Sequence, residues 1–474
     1  MLLLVGPALA QAQSAPAPPP PPPPLSCCTL ADPPAATRDR SFLVPVLDIV
    51  AVQLGYMAFN RFALGAPYAY VTLDSWKHNL SFKNYEFDND ILFLNQVGHP
   101  YQGSTAWNAA RANGLSFWLS LPYPLLESYL WETFAEVEPP SVNDMITTPT
   151  GGILLGEMLH RLHFVAADGD GGPPSLLTRI VAFALSPMDG FTEWSTPGRP
   201  RDVRKYPPWY GRLSLGVLGF GSTRTKILGV ETSARPDRQS VEGGFRVTYG
   251  HPGDSRWTYE LPFDYFDFEF KLAAGKGGVA LNMLLSAWLG GWTLGSADSV
   301  GGLLGFFGGY DFLTPGPLQV STTNFGVGSV LQARLANELY LQGSLVLSAV
   351  PWGAAGRLPQ GVELKRNYQY GLGQQAILEL RLVSRGLGEA RLWARNYNIN
   401  AAYTHEGWEH VFLAGAALDV RIWGRHAVGV DATFGARFSA LVPDSANPNE
   451  EQRVSYVGLH YTLLSDEGFG TRRK

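Results

Sequence analysis

In the C-terminal half of the chain, apolar and polar residues alternate with a period of two. Phe266, Phe268, Phe270 and Leu272 alternate with Asp267, Glu269 and Lys271, so an extended strand would carry aromatics on one face and ions on the other. Leu378-Glu379-Leu380-Arg381-Leu382 repeats the pattern, and the run from Val430 to Phe438 sustains it over a whole strand. Counted from Trp209, such segments predict an antiparallel sheet of about 12 strands, an even number that suits a bacterial transmembrane barrel. Alternation alone fits a soluble periplasmic β-sandwich as well, because both architectures separate an apolar face from a polar one.

Upstream the period changes. Phe42 to Leu64 is apolar enough for a long helix but is interrupted by Asp48, Gln53, Asn60 and Arg61, which favours a buried or interfacial helix over a membrane span. Helical patterns follow at His99–Asn113, Leu125–Val137 and Ile153–Phe164, with Pro139-Pro140 and Pro149-Thr150-Gly151-Gly152 expected to break them. The fold class predicted is α+β, an N-terminal helical domain over 42–165 followed by a C-terminal antiparallel transmembrane β-barrel over 209–464, with a linker at 166–208 between them.

The two ends favour the barrel over the sandwich. Residues 1–12, with Leu2-Leu3-Leu4-Val5 and then Ala8-Leu9-Ala10, read as a secretory signal peptide. Residues 13–41 form a leader dominated by Pro18 to Pro24, an extended spacer. Tyr456-Val457-Gly458-Leu459-His460-Tyr461 resembles the last strand of outer-membrane barrels, and a polar tail at 465–474 follows it. Composition agrees: charged residues make up 16% of the chain, below the roughly 25% of ordinary soluble domains. A net charge of −5 gives no basic footprint for nucleic acid. Cys27 and Cys28 are adjacent and cannot close an unstrained disulfide of ordinary geometry. The expected location is the outer membrane, with outer-membrane lipid and the barrel assembly machinery as partners and no cofactor; the oligomeric state is left open.

Residues capable of chemistry gather between Asn95 and Arg161. His99 and Ser104 stand among small residues, and Glu132 and Glu136 are four apart, a spacing that would put both carboxylates on one helix face. Ser141 or Asn143 can cap a helix, and Glu157 can pair with Arg161 at i, i+4. A Ser-His-acid hydrolase using Ser104 or Ser141 lacks a Gly-x-Ser-x-Gly elbow. A metal site would draw on Glu132, Glu136, Glu157 and His160, but Glu157–His160 is a single Glu-x-x-His motif where di-metal bundles carry two, so no metal is assigned. Each of these residues also has a purely structural reading, as a cap, an ion pair or a solvated carboxylate.

The string from Asn95 to Ser104, with Ala109 to Gly114, Trp131-Glu132, Glu136, Pro140-Ser141-Val142-Asn143-Asp144, Gly151-Gly152 and Gly156-Glu157, closely resembles a bacterial envelope family catalogued as domain of unknown function 3943. The resemblance extends over roughly residues 42 to 195; it implies an envelope protein and no particular reaction. More distantly, the order of a His, a Glu-bearing helix and Asn-Asp before a Gly-Gly helix is similar to VanZ-like membrane proteins.

Two functions are therefore weighed. The first is a barrel with a structural or transport role, plugged or capped by the helical domain, whose polar helices would meet the inward charges Glu269, Lys271, Glu379, Arg381 and Arg437. The alternative is an enzyme that modifies an envelope lipid or glycan. In it His99, Glu132 and Glu136 would be catalytic, and Asn95, Ser104, Arg111, Asn143, Asp144, Glu157 and Arg161 would bind substrate.

Overall fold

The computed structural model describes residues 40–168, 175–196 and 207–465, except for 228, 235–238, 253–256, 277, 296–299, 316–317, 337, 357–367, 385, 404–406 and 441–449. The expected signal peptide, and almost all of the leader and of the polar tail, lie outside the described residues.

The alternating segments form β1 (Trp209–Ile227), β2 (Val230–Ala234), β3 (Gln239–Tyr249), β4 (Phe266–Gly275), β5 (Gly278–Gly295), β6 (Val300–Leu313) and β7 (Val320–Ala336). They continue as β8 (Leu339–Ala355), β9 (Gln369–Ser384), β10 (Gly388–Ala401), β11 (Trp408–Trp423), β12 (His426–Ala440) and β13 (Glu450–Leu464). All pairings are antiparallel between ring neighbours, and β13 returns to β1 in a register from Arg212 opposite Leu464 to Ile227 opposite Glu450. The short β2 pairs with β1 alone, which leaves a closed ring of 12 strands. Closure removes the sheet edges that a sandwich would keep. Connections at the rim near Trp209 and Leu464 are short except for 250–265, the longest in the barrel, whereas those at the far rim include 356–368 and 441–449.

Which parity faces inward follows from contacts between strands that are not neighbours. Arg246 on β3 pairs with Glu379 on β9, and Asp311 on β6 meets Gln375 on β9 and Arg395 on β10, both at 2.9 Å. Such pairs can form only across the lumen. The lumen is accordingly a mesh of ions: Arg381 with Glu389 at 3.0 Å, Arg212 with Asp419 at 3.0 Å, Arg437 with Glu409 at 2.8 Å, and Arg391 with Glu269 at 2.5 Å. Toward the far rim an inward apolar cluster of Leu284, Leu313, Val320, Val350, Ile399 and Leu413 lies beside it.

The opposite parity makes the outer wall, where Leu213, Leu215, Leu378, Leu380, Leu382, Leu418 and Val420 are exposed. Over β3 to β6 that wall is covered instead: Tyr249, Phe266, Phe268, Leu285, Ala287, Tyr310 and Phe312 are all buried. What covers it is the helical domain, built from α1 (Val44–Ala58), α2 (Leu73–Asn79), α3 (His99–Ala112), α4 (Phe117–Ser120), α5 (Pro122–Leu130), α6 (Val142–Asp168), α7 (Leu176–Leu185) and α8 (Pro187–Ser195). Helix α6 runs down the wall. Near the far rim Thr147 accepts a hydrogen bond from the Trp352 indole at 2.9 Å; near the other rim Arg161 pairs with Asp264 at 3.0 Å. Between them Leu154, Leu155, Met158 and Leu162 share one core with Phe266, Phe268, Leu285 and Phe312.

The expected plug is therefore corrected: the helices pack on the outside of the barrel. The physical reason is that the lumen charges meet one another across the barrel, while the helices present Trp107, Phe117 and Met158 to aromatic side chains of the outer wall. Helix boundaries differ too. Pro149-Thr150-Gly151-Gly152 lies inside α6 rather than breaking it, because the small residues let α3 and α6 touch: a Cβ on Gly152 would sit 2.6 Å from the Gly103 carbonyl carbon. The stretch expected as a linker contains α7 and α8.

No helix among the described residues is long and apolar enough to cross a membrane by itself. The outer face of the helical domain is nevertheless apolar, with Leu47, Leu54, Phe62, Leu176, Ile180 and Trp194 exposed, continuing the bare barrel wall.

Candidate functional site

Three chain segments converge on the outer wall near the far rim. His99 opens α3 directly after a π-helical turn, Leu94–Gly98; Glu132 lies in a second π-helical turn, Trp131–Ala135; Asp144 sits in the first turn of α6. Single π turns within helical runs often accompany functional sites because they re-aim side chains. One ligand atom from each of His99, Glu132 and Asp144 falls within 4.8 Å of the others, and all three residues are buried.

The His99 Nε2 to Asp144 Oδ2 distance is 3.6 Å, too long for a hydrogen bond. Polar groups around the three hold the carboxylates in place. The Ser141 backbone N–H donates to Glu132 Oε2 at 2.8 Å, and the Asn143 amide donates to Asp144 Oδ1 and to Asp88 Oδ1, both at 3.0 Å. Asn95 donates to the same Asp88 oxygen at 2.7 Å and to the Tyr368 hydroxyl at 2.8 Å, and Gln96 donates to Tyr370 at 3.2 Å. Two tyrosines of the barrel thus brace the helical site. Ile91, Phe93 and Leu94 lie exposed beside it.

Burial governs the protonation of the cluster. It pushes the His99 ring down to about 4, against the pull of Asp88, so the imidazole is neutral at physiological pH. Burial, a hydrogen bond shared with Asp88 and the nearby Glu132 charge raise Asp144 well above the usual carboxylate range, and burial with Glu136 does the same to Glu132. Burial also acts to raise Asp88, but hydrogen bonds from Asp144, Asn95 and Asn143 outweigh it and hold Asp88 low. Burial thus favours the uncharged forms of His99, Glu132 and Asp144 while Asp88 is held toward its charged form, and such a set can accept and return a proton.

Of the expected residues, His99, Glu132, Asn95, Asn143 and Asp144 come together, while the others serve elsewhere. The helix ends between Glu132 and Glu136, whose backbone is extended, so the two do not share a helix face as their spacing suggested. Ser104 donates to the Tyr101 carbonyl of its own helix. Glu157 lies 13 residues beyond Asp144 on α6, about 20 Å along the axis. There it accepts from Trp107, Arg111 and Arg161 at 3.1, 2.8 and 2.9 Å. This buried knot ties α3 to α6 and, through Arg161, to the barrel at Asp264 and the Pro262 carbonyl. His160 pairs with Asp189 at 2.8 Å, so the Glu-x-x-His pair does not join Glu132. Sequence reasoning missed Asp88 and the two tyrosines, whose i, i+2 spacing at the start of β9 marks a shared outward face.

Residues 84–188 match the model of a family described as Domain of unknown function (DUF3943), a span that holds the whole cluster except the two tyrosines. A search of curated proteins finds no match. Among solved structures the chain is similar to an anion-selective porin from Comamonas acidovorans, with 10% identity over 55% of this chain and 99% of that chain at a TM-score of 0.20. It is also similar to the COG4313 outer membrane channel from Pseudomonas putida F1, with 10% identity over 56% and 100% at 0.29. The outer membrane protease OmpT from Escherichia coli is a third, with 10% identity over 54% and 96% at 0.21.

Proposed function

We propose, for a chain that carries a DUF3943 domain over residues 84–188, that it is an outer-membrane barrel whose outer wall supports a lipid-acting catalytic centre. The observation that carries this reading is a buried imidazole and paired carboxylates held on the outside of the barrel, beside exposed apolar side chains, rather than in the lumen. With 250–265 the exception, short turns at one rim and longer connections at the other follow the usual periplasmic and extracellular ends of such barrels. By that polarity Tyr368 and Tyr370, and the site they brace, lie at the outer-leaflet level. The class of substrate is then an outer-leaflet lipid that reaches the site from the bilayer. His99, Glu132 and Asp144 form the reactive edge of the site, and Asp88, fixed by Asn95 and Asn143, supports Asp144. The ion pairs across the lumen speak against a wide water-filled path, and the transport reading gains no specific support from them.

The test is the lipid profile of a deletion strain complemented with wild-type protein or with His99→Gln. A product that disappears on deletion and is restored only by the wild type supports the reading; identical profiles in all strains, with the variant protein folded into the membrane, overturn it. Planar-bilayer recordings check the lumen, and the expected trace is silent.

A further inference from the structure

We propose that His99, Glu132 and Asp144 bind a divalent transition-metal ion, of the class of zinc or manganese. Two ligands about 2.0–2.2 Å from one ion sit roughly 3–4 Å apart, and the 3.6 Å between His99 Nε2 and Asp144 Oδ2 falls in that interval while lying outside hydrogen-bond range. Glu132 completes a set whose ligand atoms all lie within 4.8 Å.

A second observation stands apart from that distance. The His99 side chain is nine-tenths buried, yet among the described residues its ring makes no hydrogen bond and meets only the carboxylate of Asp144 at that longer distance. With no hydrogen bond to give up, a ring nitrogen can take an ion without losing a protein partner. Charge points the same way. Among the described residues, no lysine or arginine pairs with Asp88, Glu132 or Asp144, whereas the lumen carboxylates Glu379, Glu389, Asp419 and Glu409 each face an arginine.

The surroundings suit such a centre. Ser141 orients Glu132, Asn143 orients Asp144, and Asn95 with Asn143 fixes Asp88, an arrangement in which outer groups set the direction of the ligands. One imidazole with two carboxylates is a mixed nitrogen and oxygen set, which suits zinc or manganese better than calcium. This inference goes beyond the catalytic reading, because an ion held by three chain segments can serve the fold whether or not the site reacts.

The experiment uses full-length protein purified in detergent, stripped with a chelator and dialysed. Zinc, manganese and calcium are then titrated by calorimetry, with metal content read by mass spectrometry. One ion per chain and a higher unfolding temperature are expected. Asp144→Asn and Glu132→Gln should weaken binding at least about 100-fold, and Glu136→Gln should leave it unchanged. Heat-modifiability on gels confirms that each variant keeps its barrel. Absence of stoichiometric uptake by the wild type, uptake of calcium alone, or equal uptake by Asp144→Asn would each overturn the proposal; if a variant fails to fold, the wild-type stoichiometry decides by itself.

Discussion

The barrel lumen and the helical site both bury carboxylates, but they compensate them differently. In the lumen each of Glu379, Glu389, Asp419 and Glu409 has an arginine in reach, and Arg246, Arg381 and Arg437 each meet more than one acid. At the site, Asp88, Glu132 and Asp144 have one histidine among them and no arginine among the described residues. A charge-compensated mesh of this kind holds strands in register; a deficit of positive charge favours a cation. The lesson is that burial of ions alone does not mark a functional site, and the balance of their charges does.

Breaking the charge-compensated knot that ties α6 to the outer wall should have the largest effect. Arg161→Met leaves Glu157 with one arginine fewer and Asp264 without its partner on α6, and removing one member of a buried pair costs about 3–5 kcal/mol. Limited proteolysis should then release the helical domain while the barrel still shows heat-modifiability. Retention of the helices at wild-type protease concentrations would count against their being tied through this knot.

The next effect lies on the bare wall. Leu380→Arg puts a charge on the exposed apolar face of β9, which costs about 2–4 kcal/mol near the bilayer midplane. Denaturant titration in lipid vesicles measures it, and no loss of stability would mean that this face does not meet lipid.

A smaller effect depends on pH. Burial raises the Glu127 carboxyl from 4.5 to about 7, partly offset by hydrogen bonds from Gln102 and Gln53. A raised folded-state value favours the protonated form. Its contribution is therefore fully present below about pH 4.5 and is lost as pH rises through 7. The unfolding temperature of the helical domain should fall between pH 5 and pH 8, and Glu127→Gln should flatten that slope; an unchanged slope in the variant would assign the effect to other groups.

The smallest effect sharpens the contrast with the lumen. In chelator, Glu132→Gln should change stability by less than about 1 kcal/mol, since burial disfavours the charged form of that carboxyl and no arginine pairs with it among the described residues. Glu389→Gln, which weakens the pairs with Arg381 and Arg212, should cost several times more. Equal costs in parallel denaturant titrations would remove the distinction.

Much of the barrel was legible, because Phe266 to Leu272 and Leu378 to Leu382 declare their two faces through parity. What parity could not say is what covers the apolar face. Phe268, which packs on the helical domain, and Leu380, which is bare, obey the same rule, so the choice between plug and flank was invisible locally. At the site, His99, Glu132 and Asp144 were chosen for their chemistry. Their convergence depends on two π-helical turns and on a close α3–α6 crossing that Gly103 and Gly152 permit. The same glycines, beside Pro149, imitated a helix break.

The placement of the helices on the outer wall is tested most directly by cross-linking. With Cys27 and Cys28 replaced by serine, Leu154→Cys is paired either with Gly308→Cys on the outer wall, whose Cβ would lie 3.2 Å from the Leu154 side chain, or with Gln375→Cys in the lumen. A short thiol cross-linker should join the first pair in intact membranes and leave the second unlinked. Efficient linking of Leu154→Cys to Gln375→Cys, with none to Gly308→Cys, would put the helices inside the barrel and contradict the account.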